Sequence, residues 1–211
     1  MRLWILLKKD LRNLSDALPP ALLLGIPLIL IIQFANSSSE AQKIEWKTVF
    51  WITFFISIVA LLYRSFGEEH RSKNFQIYSA FKIPKQIIFI SQCISHALSL
   101  FIIGFFYLWL SILFFSPSMT DIPSMFALLA VVSVCLAPIG TTLGLALQVE
   151  REFLFPLFFL PLCTPVVLAA ESLSIEFSRP WLSVLLIFGL VGAFLSALVF
   201  EFFFDELSQS L

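Results

Sequence analysis

The chain has 211 residues, of which 59% are hydrophobic, 16% aromatic and 13% charged, and its mean hydropathy is +0.97. Soluble domains carry about a quarter charged residues, and a soluble core of this length could not bury so much apolar surface. These values exclude a soluble enzyme and a disordered chain. The net charge of −1 leaves no basic surface for nucleic acid, and three cysteines in apolar sequence exclude a disulfide scaffold.

The first predicted element is a short amphipathic helix at the N-terminus. Leucines recur at helical spacing from Leu3 to Leu14, and the basic residues between them lie on the opposite face. Such a helix lies in the plane of the lipid headgroups, where Trp4 would anchor it. The alternative is that this segment only extends the first membrane span into the cytoplasm.

Six apolar segments then follow, each long enough to cross a bilayer. A hydrocarbon core of about 30 Å needs roughly 20 helical residues, and the absence of a period-2 alternation indicates helices rather than barrel strands. We therefore predict an all-α integral membrane protein, with residues 1–211 forming a single transmembrane domain. The predicted spans are Leu18–Ala35, Val49–Phe66, Ile87–Phe115, Ile122–Gln148, Phe153–Ala170 and Trp181–Phe204.

The basic residues predict the orientation of these spans. If the N-terminus is cytoplasmic, ten of the 13 Lys and Arg residues lie on the cytoplasmic side, five of them around the connection between spans two and three. Basic residues are enriched in cytoplasmic loops. Both termini are therefore expected to be cytoplasmic.

Charged residues are missing from the middle of every predicted span. A charge there usually marks an ion or proton path, so the sequence argues against a proton-coupled transporter. Neither a buried acid–base pair nor a metal-ligand spacing indicates catalysis. We expect a non-catalytic membrane subunit with no catalytic residues and no metal site.

Span three carries a polar stripe. Gln92, Ser95, His96 and Ser99 recur at the spacing of one helical face. His96 has two alternative roles: an axial ligand to a haem iron, or a partner in hydrogen bonds between helices.

Span five contains Pro156, Pro161 and Pro165. Each proline removes a backbone donor, so this helix is predicted to be kinked or broken. Because free carbonyls are costly in lipid, we expect the span to pack against neighbours or to line a cavity. A conformational role is the alternative to a purely structural one.

The connection between spans two and three mixes charged residues with apolar ones. Phe75 and Tyr78 lie among acids and bases, and Pro84 precedes the next span. Exposed aromatics among charges are typical of a docking surface, and a loop tucked against the membrane is the alternative.

Three motifs resemble those of a known family. Leu62-Tyr-Arg-Ser-Phe-Gly-Glu-Glu69 is similar to the family's basic, aromatic and acidic stretch at the end of span two. The run from Pro84 to Gln92 and His96 keeps its spacing, although the family usually has lysine where Gln92 stands. Leu160-Pro-Leu-Cys-Thr-Pro165 matches its Leu-Pro-Leu-x-x-Pro. On these residues the whole chain resembles the cytochrome c maturation protein B family, also called haem exporter protein B.

The resemblance implies the permease-like membrane subunit of an ABC-type complex in the bacterial inner membrane. Its fold would be similar to that of ABC-2-type exporters, with a cytoplasmic coupling helix between spans two and three. The implied partners are the ATPase (protein A), the haem-handling protein C, the small protein D, the haem chaperone (protein E) and membrane lipid. Haem would be cargo of the complex rather than a bound cofactor.

Two groups of residues are the predicted sites. A surface that couples to the ATPase is expected at Glu68, Glu69, His70, Arg71, Phe75 and Tyr78. A substrate or intersubunit face is expected at Gln92, His96, Pro161 and Pro165. Two other functions stay open: an ABC-2-type exporter subunit for another substrate, and a structural scaffold for haem-handling subunits.

Overall fold

The computed structural model describes residues 2–38, 44–71, 78, 83–147 and 154–209. Within these ranges the long elements are all helical and no strand occurs. In chain order the helices are α1 (Arg2–Ser38), α2 (Trp46–Arg71), α3 (Lys85–Phe115), α4 (Asp121–Leu147), α5 (Leu154–Ile175) and α6 (Arg179–Gln209).

Each of these six helices is long and apolar enough to cross a membrane. The prediction of an all-α membrane protein with six spans is therefore confirmed. Five of the spans agree with the predicted ranges to within three residues. The agreement has a physical reason: a helix of about this length pairs all its backbone hydrogen-bonding groups across the hydrocarbon core.

The fifth helix continues further than its apolar run predicts. It ends at Ile175 rather than Ala170, although Glu171 would end a hydrophobic segment. The carboxylate of Glu171 accepts a hydrogen bond of 2.8 Å from the Thr48 hydroxyl of α2. A contact with another helix thus stabilises the polar last turn.

The N-terminal segment also differs from the expectation of a separate interfacial helix. Residues 2–38 form one continuous helix, so the amphipathic segment extends the first span. Leu6 and Asp10 on this segment are buried against the rest of the bundle, while Trp4 is exposed. These two buried side chains pack the start of α1 against the rest of the bundle.

The helices alternate in direction, and α2, α3 and α4 form the centre of the bundle. The first helix packs against α2 and α3, whereas α6 packs mainly against α4 and α5. Only 17% of the apolar window of α6 is buried, compared with 56% for α2. The outer helices therefore present most of their apolar surface to the membrane.

A tyrosine joins the first three helices inside the bundle. The Tyr107 hydroxyl of α3 lies 2.7 Å from the Ala21 carbonyl of α1 and 2.7 Å from the Ser57 hydroxyl of α2. This close approach depends on Gly25, because a Cβ there would lie 2.3 Å from the tyrosine oxygen.

The prolines of α5 do not break the helix, which continues through Pro161 and Pro165. The span packs against α2, α4 and α6, as expected, although Pro161 itself is exposed together with Thr164. The helix buries its other face instead, including Phe159 and Cys163. On the exposed face, the Thr164 hydroxyl donates to the Leu160 carbonyl at 2.6 Å.

Candidate functional site

The predicted coupling residues lie at the end of the bundle where α1 begins. Glu68, Glu69, His70 and Arg71 form the last helical turn of α2, for which only the backbone is described. Phe75 lies outside the described residues. Because this turn ends α2, its residues lie where the connection to α3 leaves the bundle.

Among the predicted coupling residues, the side-chain environment is described for Tyr78, and this side chain is buried. Only 3% of Tyr78 is accessible, which corrects the expectation of an exposed aromatic. Its hydroxyl accepts a hydrogen bond from Lys9 Nζ of α1. Its carbonyl accepts from the Ile83 amide at 3.2 Å, next to the start of α3. Tyr78 thus joins the connecting segment to α1 and bonds to the residues just before α3.

Tyr78 belongs to an apolar cluster of buried residues. We refer to this set as the Tyr78 cluster: Leu6, Tyr78, Ile88, Leu145, Phe200 and Phe204. Its members come from α1, α3, α4 and α6 as well as the connecting segment. Burying a large apolar side chain contributes about 1.5–3 kcal/mol, so the burial of Tyr78 in this cluster stabilises its position against the bundle.

Beside this cluster lies a buried carboxylate that the sequence interpretation missed. Asp10 is 6% accessible; its Oδ2 accepts a 2.7 Å hydrogen bond from the Ser91 hydroxyl of α3. Its Oδ1 lies 3.1 Å from Lys9 Nζ. We call the four residues Lys9, Asp10, Tyr78 and Ser91 the clasp.

A signal for Asp10 was present in the sequence. Position 10 follows Leu3, Leu6 and Leu7 at helical spacing and precedes Leu14, so it falls on the apolar stripe of the N-terminal helix. An acidic residue at such a position is buried unless the stripe faces water. A buried carboxylate then requires a donor, and here Ser91 and Lys9 supply it.

The polar stripe of α3 faces the interior of the bundle. Gln92, Ser95, His96 and Ser99 are all buried, as the helical spacing predicts. His96, 2% accessible, joins three helices: its Nδ1 lies 2.9 Å from the Thr141 hydroxyl of α4, and its Nε2 lies 3.3 Å from the Ser65 hydroxyl of α2.

The geometry around His96 assigns the direction of these bonds. The Thr141 hydroxyl donates to the Ala137 carbonyl at 2.8 Å, so it accepts from His96 Nδ1–H. In the neutral ring Nε2 then accepts from Ser65. Both ring nitrogens thus have hydroxyl partners between helices, which is the arrangement expected of an interhelical contact. Binding of a haem iron would require the ring to leave one of them.

The structure does not bring the two halves of the predicted substrate face together. Gln92 and His96 lie on α3, whereas Pro161 and Pro165 lie on α5, and these two helices do not contact each other. Pro161 is exposed on the outer side of α5. Local periodicity predicts the buried face of a helix, but it contains no information on which helix packs beside it.

A second polar cluster, also missed from the sequence, closes the opposite end of the bundle. Lys47, only 7% accessible, has its Nζ 3.2 Å from Asp121 Oδ1 and so connects the start of α2 to the start of α4. Trp51 Nε1 donates to the Ser174 hydroxyl of α5 at 3.2 Å. Polar contacts at both ends therefore fix the helices relative to one another.

Comparison with known proteins gives one match. The family model described as CcmB protein matches residues 1–204. No curated protein and no solved structure matches the chain. The match includes all six membrane helices and both ends of the bundle described above.

Proposed function

Because the chain belongs to the CcmB protein family, it is a membrane permease subunit of the haem-export ABC system of cytochrome c maturation, and we propose that it couples a separate ATPase to haem delivery. The ATPase would bind at the end of the bundle where α1 begins. Its cycle would drive delivery of haem, or release of the haem-loaded periplasmic chaperone. The chain itself has a non-catalytic role in this proposal.

The orientation supports this location. The end where α1 begins carries most of the basic residues, including Lys8, Lys9, Arg64 and Lys85. Such enrichment is typical of the cytoplasmic side. An ATPase that uses cytoplasmic ATP would meet this end in the bacterial inner membrane, with both termini of the chain on the same side.

The single observation that carries the proposal is the burial of Tyr78. The connection from Glu68 and Glu69 to α3 carries acids, bases and aromatics. Its Tyr78 is bonded to Lys9 of α1 and is buried in an apolar cluster that includes residues of α1, α3, α4 and α6. A partner that binds the acidic turn would therefore act on a segment that is anchored in the bundle at Tyr78. A loop without such an anchor would move without displacing the membrane helices.

Within this system the proposed partners are the maturation ATPase (protein A), proteins C and D, and the haem chaperone (protein E). Gln92 and His96 would then form a buried contact between helices that rearrange, with no direct contact to the cargo. A scaffold would need the same partners but no nucleotide-dependent rearrangement of its helices.

Charge reversal tests the docking surface. Glu68→Lys with Glu69→Lys is expected to remove the ATPase from the purified membrane complex and to abolish covalent haem attachment to c-type cytochromes. Glu176→Lys is the matched control, because Glu176 is exposed at the opposite end of the bundle. The control should retain both properties.

Each outcome discriminates between functions. Retention of the ATPase and of cytochrome maturation in the double variant would show that this surface is not the docking site. Maturation that persists with an ATPase unable to hydrolyse ATP would favour a scaffold. Normal cytochrome maturation in cells that lack the chain would favour an exporter of another substrate.

A further inference from the structure

The clasp places a buried carboxylate at a contact between separate segments of the chain. Asp10 lies on an apolar stripe where leucine would continue the pattern. Replacing a buried ionic contact with packed apolar groups is often neutral or stabilising. The hydrogen bond between Ser91 and Asp10 forms in only one register of α1 against α3, so it defines the position of α1.

The clasp connects three parts of the chain: α1, α3 and the connecting segment. Ser91 of α3 donates to Asp10 of α1, and Lys9 lies between Asp10 and Tyr78 of the connecting segment. All three contacts involve at least one buried side chain. Charged partners strengthen these hydrogen bonds relative to neutral ones.

The first helix can carry a displacement from the clasp into the membrane. Among the described helices it packs only against α2 and α3, so the bundle does not enclose it. Further along α1, the Ala21 carbonyl accepts from Tyr107 of α3. It lies 11 residues after Asp10, or roughly 17 Å at 1.5 Å per residue.

We propose that Lys9, Asp10, Tyr78 and Ser91 are positioning residues that make the connecting segment, α1 and α3 move together when the ATPase acts on the segment. This inference rests on the proposed function. The ATPase contacts the segment, the clasp keeps α1 and the start of α3 in register with it, and the two helices carry the displacement to the Tyr107 contact. Loss of the clasp leaves docking intact and uncouples the movement.

The test uses the complete membrane complex expressed with its ATPase. Ser91→Ala removes the donor to Asp10, and Tyr78→Phe removes the acceptor of Lys9 while keeping the ring in the Tyr78 cluster. Ser133→Ala is the control, because this buried α4 hydroxyl donates to the Leu129 carbonyl of its own helix. Three quantities are measured: co-purified ATPase, ATP hydrolysis by the complex, and covalent haem in c-type cytochromes.

Both clasp variants are expected to retain the ATPase and its hydrolysis, while cytochrome maturation falls. Loss of a hydrogen bond to a charged group changes an equilibrium constant by about tenfold. We therefore expect covalent haem in c-type cytochromes to fall by a similar factor. The control should mature cytochromes as the unchanged chain does. A merely structural role would lower the amount of complex and hydrolysis together with maturation.

Two results would overturn the inference. One is unchanged maturation in both clasp variants, and the other is loss of the ATPase from the purified complex, which would place these residues in docking. If Ser91→Ala fails to accumulate, the same three quantities are measured for Asp10→Asn, which keeps the shape of the side chain but removes its charge. Unchanged maturation in this variant would likewise overturn the inference. Failure of the docking proposal can be distinguished from failure of this inference, because it would appear as retention of the ATPase in the variant with charges reversed at Glu68 and Glu69.

Discussion

Substitution of Gly25 by alanine is expected to separate α1 from α3. A Cβ at this position would lie 2.3 Å from the Tyr107 oxygen and 2.4 Å from the ring carbon that bears it. Real Cβ atoms do not approach other atoms so closely, and the obstacle is a ring already held by hydrogen bonds to Ala21 and Ser57. Either the ring or the helix must move.

The size of the effect follows from three contributions. Overpacking of a well-packed site costs about 1–3 kcal/mol, and each interhelical hydrogen bond lost in a membrane costs about 0.6 kcal/mol. Alanine is about 0.8–1.0 kcal/mol more favourable than glycine within a helix. We therefore expect Gly25→Ala to lower the free energy of unfolding by about 1–3 kcal/mol.

The assay is reversible unfolding of the purified chain in mixed detergent micelles, with Gly192→Ala as the matched control. A Cβ at Gly192 would lie 2.9 Å from the terminal methyl of Ile139, a flexible group that moves at little cost. This control is expected to be close to neutral.

A double-mutant cycle identifies the cause of the destabilisation. Tyr107→Leu removes the oxygen and the ring carbons nearest Gly25, so the cost of Gly25→Ala should disappear in that background. An equal cost in both backgrounds would refute the assignment to this contact.

Three further expectations concern the polar residues and the prolines. Replacing either Lys47 or Asp121 by alanine should destabilise the chain, with a coupling energy of up to about 1 kcal/mol in a double-mutant cycle, because Asp121 is partly exposed. His96→Leu should lower the free energy of unfolding by about 1–3 kcal/mol, because the buried Ser65 hydroxyl loses its acceptor while Thr141 keeps its bond to Ala137; a loss of haem absorbance from the purified complex would instead identify His96 as an iron ligand. Pro161→Ala should not destabilise α5 in thermal unfolding, because the side chain is exposed and alanine restores a backbone donor; destabilisation would show that the proline packs against a neighbour.

The fold was largely predictable from the sequence, because the membrane restricts the alternatives. The length of an apolar run, together with the need to pair every backbone group, determines that a segment such as Lys85–Phe115 is a helix. The end of α5 was not predictable in the same way. Glu171 remains helical through its contact with Thr48, which is 123 residues away in the sequence.

The candidate site was predictable only where its residues share one helix. The 3.6-residue period correctly predicts that Gln92 and His96 face the interior together. The partners of His96 come from α2 and α4, and no local pattern specifies which helices lie beside α3. For the same reason, the sequence could not show that the helices carrying His96 and Pro161 have no contact with each other.

The positions of the polar contacts indicate how a displacement would travel through the bundle. The first helix is joined to α3 at three heights: Asp10 accepts from Ser91, Tyr107 donates to a carbonyl of α1, and Gln33 Nε2 donates to the Phe114 carbonyl at 3.1 Å. Contacts at three heights oppose both sliding and tilting of α1 against α3, so the two helices should move as one body. In contrast, α5 has no contact with α3 and follows only through α2, α4 and α6. A force applied at the connecting segment would therefore rearrange α1 and α3 first, with α5 responding through the central helices.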